Sequence, residues 1–297
     1  MEHGVLTLSE VTGLIEGLYP PNLAEGWDTV GLITGDPRQP VRRVLLAVDP
    51  VAAVVDEAIE LGVDLVVTHH PLFLRPVHSV AADTYKGDLI YRLTRAGIAL
   101  YNAHTNADSA PNGVADALAE LIGVRRRRPL VAASPISDDE RGAVGIGRVG
   151  ELDEAVSLGD FTASIARLIP TTTGGVKVAG DLAGLVRRVA VVGGAGDSLF
   201  DAVRSAGADV YVTADLRHHP ASELRERAEF EARLTGGPAV PYLINLSHFA
   251  SEWPWLEYLA RDLGHAADAA VAHRRITGGL EIHVSNRVTD PWNAIFP

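Results

Sequence analysis

The sequence predicts an α/β protein made of two related α/β domains with βαβ units and predominantly parallel sheets, the middle domain inserted in the first. Three observations carry that reading. Short uninterrupted apolar runs, such as Val44–Val48 and Val63–Thr68, alternate with segments of helical periodicity, as strands covered on both faces alternate with crossover helices. The stretch Arg187–Asp215 aligns without gaps with Arg42–His70 at a constant offset of 145, and eight of these 29 positions are identical. Such a repeat indicates two copies of one supersecondary unit. Finally, 297 residues of 47% hydrophobic content suffice for two packed cores.

The elements follow in order. Val11, Leu14, Ile15 and Leu18 fall at helical spacing, and Pro20-Pro21 stops that helix. "GWDTVGLITGD" reads as a loop running into a short strand. A strand (Val44–Val48), a helix (about Val51–Leu61), the stop Gly62 and a strand (Val63–Thr68) come next. "KGDLIYRLTRAGIALYNAH" repeats helix, Gly97 stop and strand, the strand covering Ile98–Ala103. "NGVADALAELIGV" places Val114, Leu118, Leu121 and Ile122 on one helix face. Arg125 to Arg128 read as a solvated charge cluster at a domain edge, and residues 130–150 as an edge strand and turn opening the second domain. The expected division is 1–125 with 231–297 as a metal-binding α/β domain, and 126–230 as the second α/β domain.

Composition removes several classes of function. There is no cysteine, which excludes disulfides, thiolate metal sites and cysteine nucleophiles. The net charge of −12 disfavours general nucleic-acid binding while leaving room for a local basic pocket. No apolar run reaches the length of a membrane span, and the N-terminus lacks the basic and apolar regions of a signal peptide. A cytoplasmic protein with no membrane partner is expected.

The chemistry collects at strand ends. "DLVVTHHPLF" runs from an apolar strand into His69, His70 and Pro71. Adjacent strand residues point to opposite faces, so the pair shares a site only if the backbone leaves strand geometry there, as Pro71 favours. Two loop histidines at the surface are the plain alternative. His104 and Asp108 follow the next strand, although Asn106 or Asp108 alone would also serve as a helix cap. His248 and Glu252 stand four apart at the start of a helix and share its face; an exposed ion pair is the commoner meaning of that spacing. Taken together, His69, His70, Asp108, His248 and Glu252 suit two metal ions about 3.5–4 Å apart with a bridging carboxylate. Nitrogen and oxygen donors without sulfur favour zinc, iron or manganese over calcium. "GGAGDS" (Gly193–Ser198) reads either as a phosphate cradle or as a tight strand–helix turn. Thr213, Asp215, His218 and His219 either line a substrate pocket or form a degenerate copy of the first site.

The motifs "WDTVGL", "VTHHPLF", "AHTNAD", "GRVGEL", "GADVYVTADLRHH", "HFASE" and "TDPW" occur in this order. Nearly end to end, the chain resembles the NGG-interacting-factor-three-like family of dinuclear-metal proteins, often named GTP cyclohydrolase I type 2 homologues. The resemblance implies that His69, His70, Asp108, His248 and Glu252 hold two divalent ions, with His104 beside them. His104 is the candidate catalytic residue, a proton carrier, since an imidazole titrates near working pH. It also implies a homohexamer built as a trimer of dimers. Thr29 stands where the family has Asn, and Ala214 where it has Gly. The expected activity is metal-dependent hydrolysis of a small-molecule substrate, a nucleotide or related phosphorylated compound. The alternative is a metal-binding, metallochaperone or regulatory interaction protein without turnover.

Overall fold

The first βαβ unit forms where the apolar runs place it. In this computed structural model, which describes residues 5–133, 144–274 and 279–296, the elements run in chain order from β1 (Leu6–Thr7) through α1 (Leu8–Leu18), β2 (Gly31–Thr34), β3 (Pro40–Val41) and β4 (Arg43–Ala47). Then come α2 (Ala52–Leu61), β5 (Leu65–Thr68), α3 (Tyr85–Ala96), β6 (Ala99–Asn102) and the short α4 (Thr105–Ser109). They are followed by α5 (Val114–Leu121), β7 (Arg125–Ala132), β8 (Gly145–Ser157), α6 (Leu158–Leu168), β9 (Lys177–Ala179) and β10 (Leu185–Ala195). The remainder comprises α7 (Phe200–Ser205), β11 (Val210–Ala214), α8 (His218–Thr235), β12 (Tyr242–Leu246), α9 (His248–Glu252), α10 (Pro254–Arg274) and β13 (Glu281–Val284). No helix among the described residues is long and apolar enough to cross a membrane.

The chain divides into two units, Met1–Ala110 with Leu256–Thr289, and Pro111–Trp255 with Asp290–Pro297. In the first, β1 pairs with β3 in a small antiparallel sheet, and the other described strands form one sheet in the order β13-β4-β5-β6-β2. All its pairs are parallel except β2–β6. Leu45, Val54, Ala58, Val66, Leu93 and Leu100 make its core. The parallel strands β4, β5 and β6 lie side by side, with Thr68 paired to both Ala47 and Asn102. Their carboxyl ends therefore open on one edge, where α/β sheets place ligands.

The second unit departs from the expected parallel pattern. Its sheet runs β7-β8-β10-β11-β12-β9, and only β10–β11 and β11–β12 are parallel. The long strands β7, β8 and β10 form an antiparallel meander instead. The boundaries also differ from 125/126 and 230/231. The expected division groups His248 with the first domain, but strand pairing decides membership, and β12 is zipped along its length to β11. Likewise α5 packs on β8 and β10. Part of the expected edge strand and turn at 130–150 lies outside the described residues; the described part of β7 does form a sheet edge.

The repeat is visible in hydrogen bonds as well as in letters. One Asp64 carboxylate oxygen accepts the backbone N–H groups of Arg42 at 2.7 Å and Arg43 at 2.9 Å. Its counterpart Asp209 accepts those of Arg187 at 2.9 Å and Arg188 at 2.7 Å. The preceding glycines, Gly62 and Gly207, both take a left-handed conformation, with φ of 59° and 66°. Identical residues at offset 145 thus encode one device. A carboxylate before the second strand ties down the start of the first strand, and glycine lets the helix turn back. The correspondence continues past the aligned stretch. β6 leads into α4 with His104 and Asp108, and β12 leads into α9 with His248 and Glu252, now at offset 144. A gapless comparison misses this because a loop and α3 join the strands in one copy, whereas α8 joins them in the other.

Candidate metal centre

In the first unit, His69, His70 and His104 come together at the strand ends. Their potential ligand atoms all lie within 4.8 Å of one another. His69 is buried at the end of β5, and its Nδ1–H donates to the Ala103 carbonyl at 3.0 Å. The other ring nitrogen, Nε2, faces Asp108 Oδ1 at 3.8 Å. The backbone does leave strand geometry after Thr68, whose hydroxyl donates to the His70 carbonyl at 2.8 Å. His70 Nδ1–H donates to Asp49 at 2.7 Å. Asp49 follows the end of β4, and the Thr289 hydroxyl donates to its other oxygen. His104 Nδ1–H donates to Asp28 at 3.0 Å. Asp28 also accepts from the Thr105 hydroxyl at 2.6 Å and the Thr105 backbone at 3.2 Å.

These partners set tautomers. An imidazole whose Nδ1–H is committed to a carbonyl or carboxylate presents Nε2 with its lone pair outward, the form that ligates metal. Burial alone would raise the Asp28 pKa, but the bonds from Thr105 and His104 outweigh it and hold the carboxyl below its ordinary value. For His104, burial comes first and the neighbouring His69 second; together they push the imidazole down to about 4, with Asp28 offsetting only part of the shift. His104 is therefore neutral near pH 7. Its titration lies well below the range of a free imidazole.

The second unit holds a parallel arrangement. His248 opens α9, capped by the Ser247 side chain, and its Nδ1–H donates to Asp215 at 2.7 Å. Its Nε2 lies 3.0 Å from Glu252 Oε1. Glu252 is only 3% exposed, so the pair is no ordinary surface ion pair. Asp215 follows β11 with φ of 52°, and it takes the place that Asp28 has beside His104. It belongs to a supporting role, which accounts for an acid where the first copy has His70. His218 and His219 meet edge to face at the start of α8 and are exposed.

The glycine stretch contains functional positions that the pattern of residues does not reveal. Gly193–Ser198 is no open cradle. Gly194 N–H donates to Ser251 Oγ at 2.9 Å, Thr213 Oγ1 donates to the Gly194 carbonyl at 3.0 Å, and Tyr211 OH donates to the Gly196 carbonyl at 3.0 Å. Its glycines are there for close approach. A Cβ on Gly194 would sit 2.6 Å from Glu252 Oε1 and 3.2 Å from His248 Nε2. The only sequence signal is the run of glycines itself. Asp49 left a fainter one, an acid one residue beyond an apolar strand.

The Duf34/NIF3 (NGG1p interacting factor 3) family profile matches residues 6–291. The chain belongs to the Duf34/NIF3 family. Among Duf34/NIF3 relatives, a Streptomyces coelicolor protein named GTP cyclohydrolase 1 type 2 homolog is 47% identical over 287 residues, covering 97% of this chain and 94% of its own. A Clostridium perfringens protein of the same name is 32% identical over 292 residues, covering 98% and 100%. Two solved structures share the Duf34/NIF3 fold. A Bacillus cereus protein related to NIF3 has a TM-score of 0.82 at 24% identity, covering 98% of this chain and all of its own. A Staphylococcus aureus protein has a TM-score of 0.78 at 27% identity, covering 98% and 99%.

Proposed function

We propose that this protein is a dinuclear-metal hydrolase whose substrate is a nucleotide or a related phosphorylated small molecule. His69, His70 and Asp108 from the first unit, with His248 and Glu252 from the second, would hold two ions of zinc, iron or manganese. Grouping the five as one set rests on the family resemblance. The single observation that carries the metal reading is the orientation of the imidazoles. His69, His70 and His248 each commit Nδ1–H to a backbone carbonyl or carboxylate, leaving Nε2 as donor. This is the support that metal-ligating histidines require. The donor set of imidazoles and carboxylates fits a first-row divalent ion and fits calcium poorly. Bound ions of this kind lower the pKa of water and polarise a phosphoryl or carbonyl oxygen. The name carried by the relatives, GTP cyclohydrolase 1 type 2 homolog, supports a nucleotide as the first substrate class to try.

The chain's own residues then divide the work. Asp49 and Asp215 orient His70 and His248, and Asp28 orients His104. His104, held neutral, accepts a hydrogen bond or a proton at Nε2 rather than donating one. The test is His104→Gln assayed with a panel of nucleotides and phosphate esters. Retained metal with activity lower by about 10²–10⁴-fold is expected for a proton acceptor. Metal lost in step with activity would make His104 a ligand instead. A non-catalytic metal-binding protein is the second reading. Wild-type protein with metal bound that turns over nothing in the panel would put that reading first.

A further inference from the structure

Arg125 to Arg128 do not behave as a solvated charge run. Together with Arg148 they line one open cavity of about 380 Å³ whose lining includes two carboxylates, Asp116 and Glu120, and Arg126 pairs in addition with Glu151 at 3.2 Å. All these residues belong to the second unit. In a regular strand four consecutive side chains alternate between faces, so four arginines on one cavity require an interruption. The pairing of β7 with β8 shifts register between Arg125 and Arg128, and Arg126 takes φ of 47°. A side-chain-bearing residue held there is strained, and such strain persists where the surroundings enforce it. Gly150 opposite allows the bulge, since a Cβ there would meet the Arg125 carbonyl at 2.3 Å.

The base of the cavity is built and rigid. Arg148 is 2% exposed, pairs with Asp116 at 2.7 Å, and donates to the Gly145 and Gly147 carbonyls, both at 2.7 Å. Arg127 is braced by Asp116 at 3.3 Å and Glu120 at 2.9 Å. Arg125 and Arg128 are exposed at its mouth. The lining thus carries more positive than negative charge in a protein of net charge −12. Guanidinium groups present planar forks that match phosphate oxygens. The volume suits a small molecule, and the lining holds no aromatic ring on which a base would stack. We propose that this cavity binds a small compound bearing two or more phosphate groups, through the arginines of β7. It shares no residue with the histidine clusters and goes beyond the proposed hydrolysis.

The probe is inorganic tripolyphosphate, titrated calorimetrically into the purified full chain at physiological ionic strength with metal content followed in parallel. Saturable binding is expected, weakening as salt rises. The double variant Arg125→Glu/Arg128→Glu, at exposed positions that leave the Arg148–Asp116 pair intact, should bind about tenfold or more weakly while keeping the wild-type melting temperature. His70→Ala should bind as the wild type does. Three results overturn the proposal: no saturable heat with the wild type, equal affinity in the double variant, or loss of binding in His70→Ala. The last would move the ligand to the histidine cluster and leave the hydrolase reading standing.

Discussion

Replacing Gly194 with alanine should separate metal affinity from fold stability. Gly194 has φ of +69°, where a residue with a Cβ pays roughly 1–2 kcal/mol. The added Cβ would also lie 2.6 Å from Glu252 Oε1. That oxygen ends a side chain with rotatable bonds, so it yields before the backbone does, retreating by about 0.5 Å. A ligand set tolerates displacement of about that size before it loses its geometry. Metal affinity should therefore fall about 10–100-fold, while the metal-free melting temperature drops by only about 2–8 °C. Gly207→Ala is the matched control, with φ of +66° and nothing within 4 Å of the new Cβ. It carries the same backbone strain and should keep wild-type metal affinity. The assay is competition of each variant against a colorimetric chelator, with thermal unfolding of chelator-treated protein alongside. Equal metal affinity in Gly194→Ala and Gly207→Ala would refute the reasoning.

Two other outcomes follow from the geometry. The folded-state pKa of His104 is pushed down to about 4 from an ordinary 6.5, so the unfolded chain binds the proton more tightly. Metal-free protein should then lose stability as pH falls from 6.5 toward 4, by roughly 3 kcal/mol once both limits are passed. Melting curves against pH should show a flatter profile in His104→Gln; identical slopes would remove His104 as the cause. Asp64→Ala and Asp209→Ala each delete a carboxylate that accepts two backbone N–H groups. Denaturant titration should give each a loss of about 2 kcal/mol, and clearly unequal losses would mean that the repeat does not share one device.

Much of the candidate site was legible because its residues sit at chain positions that local rules mark. His69 and His70 end an apolar run at a proline, and His248 and Glu252 carry helical spacing. The supporting acids were not legible, since Asp28, Asp49 and Asp215 reach their histidines across 76, 21 and 33 residues. No periodicity encodes such a contact. The unit boundary was misplaced for a related reason. Where β12 pairs is decided by its register with β11, a long-range choice that its apolar run leaves open. The mixed second sheet was missed because the antiparallel β8 and β10 read as the same apolar runs that parallel strands do. The role of Gly194 lies in a distance to a side chain on another element, which a glycine-rich run does not specify.

Elemental analysis of the purified protein tests the central claim most directly. The account predicts two transition-metal ions per chain in the wild type and large losses in His70→Ala and Glu252→Ala. His78→Ala and His273→Ala, at exposed positions outside the clusters, should keep the wild-type stoichiometry. Full metal occupancy in both His70→Ala and Glu252→Ala would contradict it.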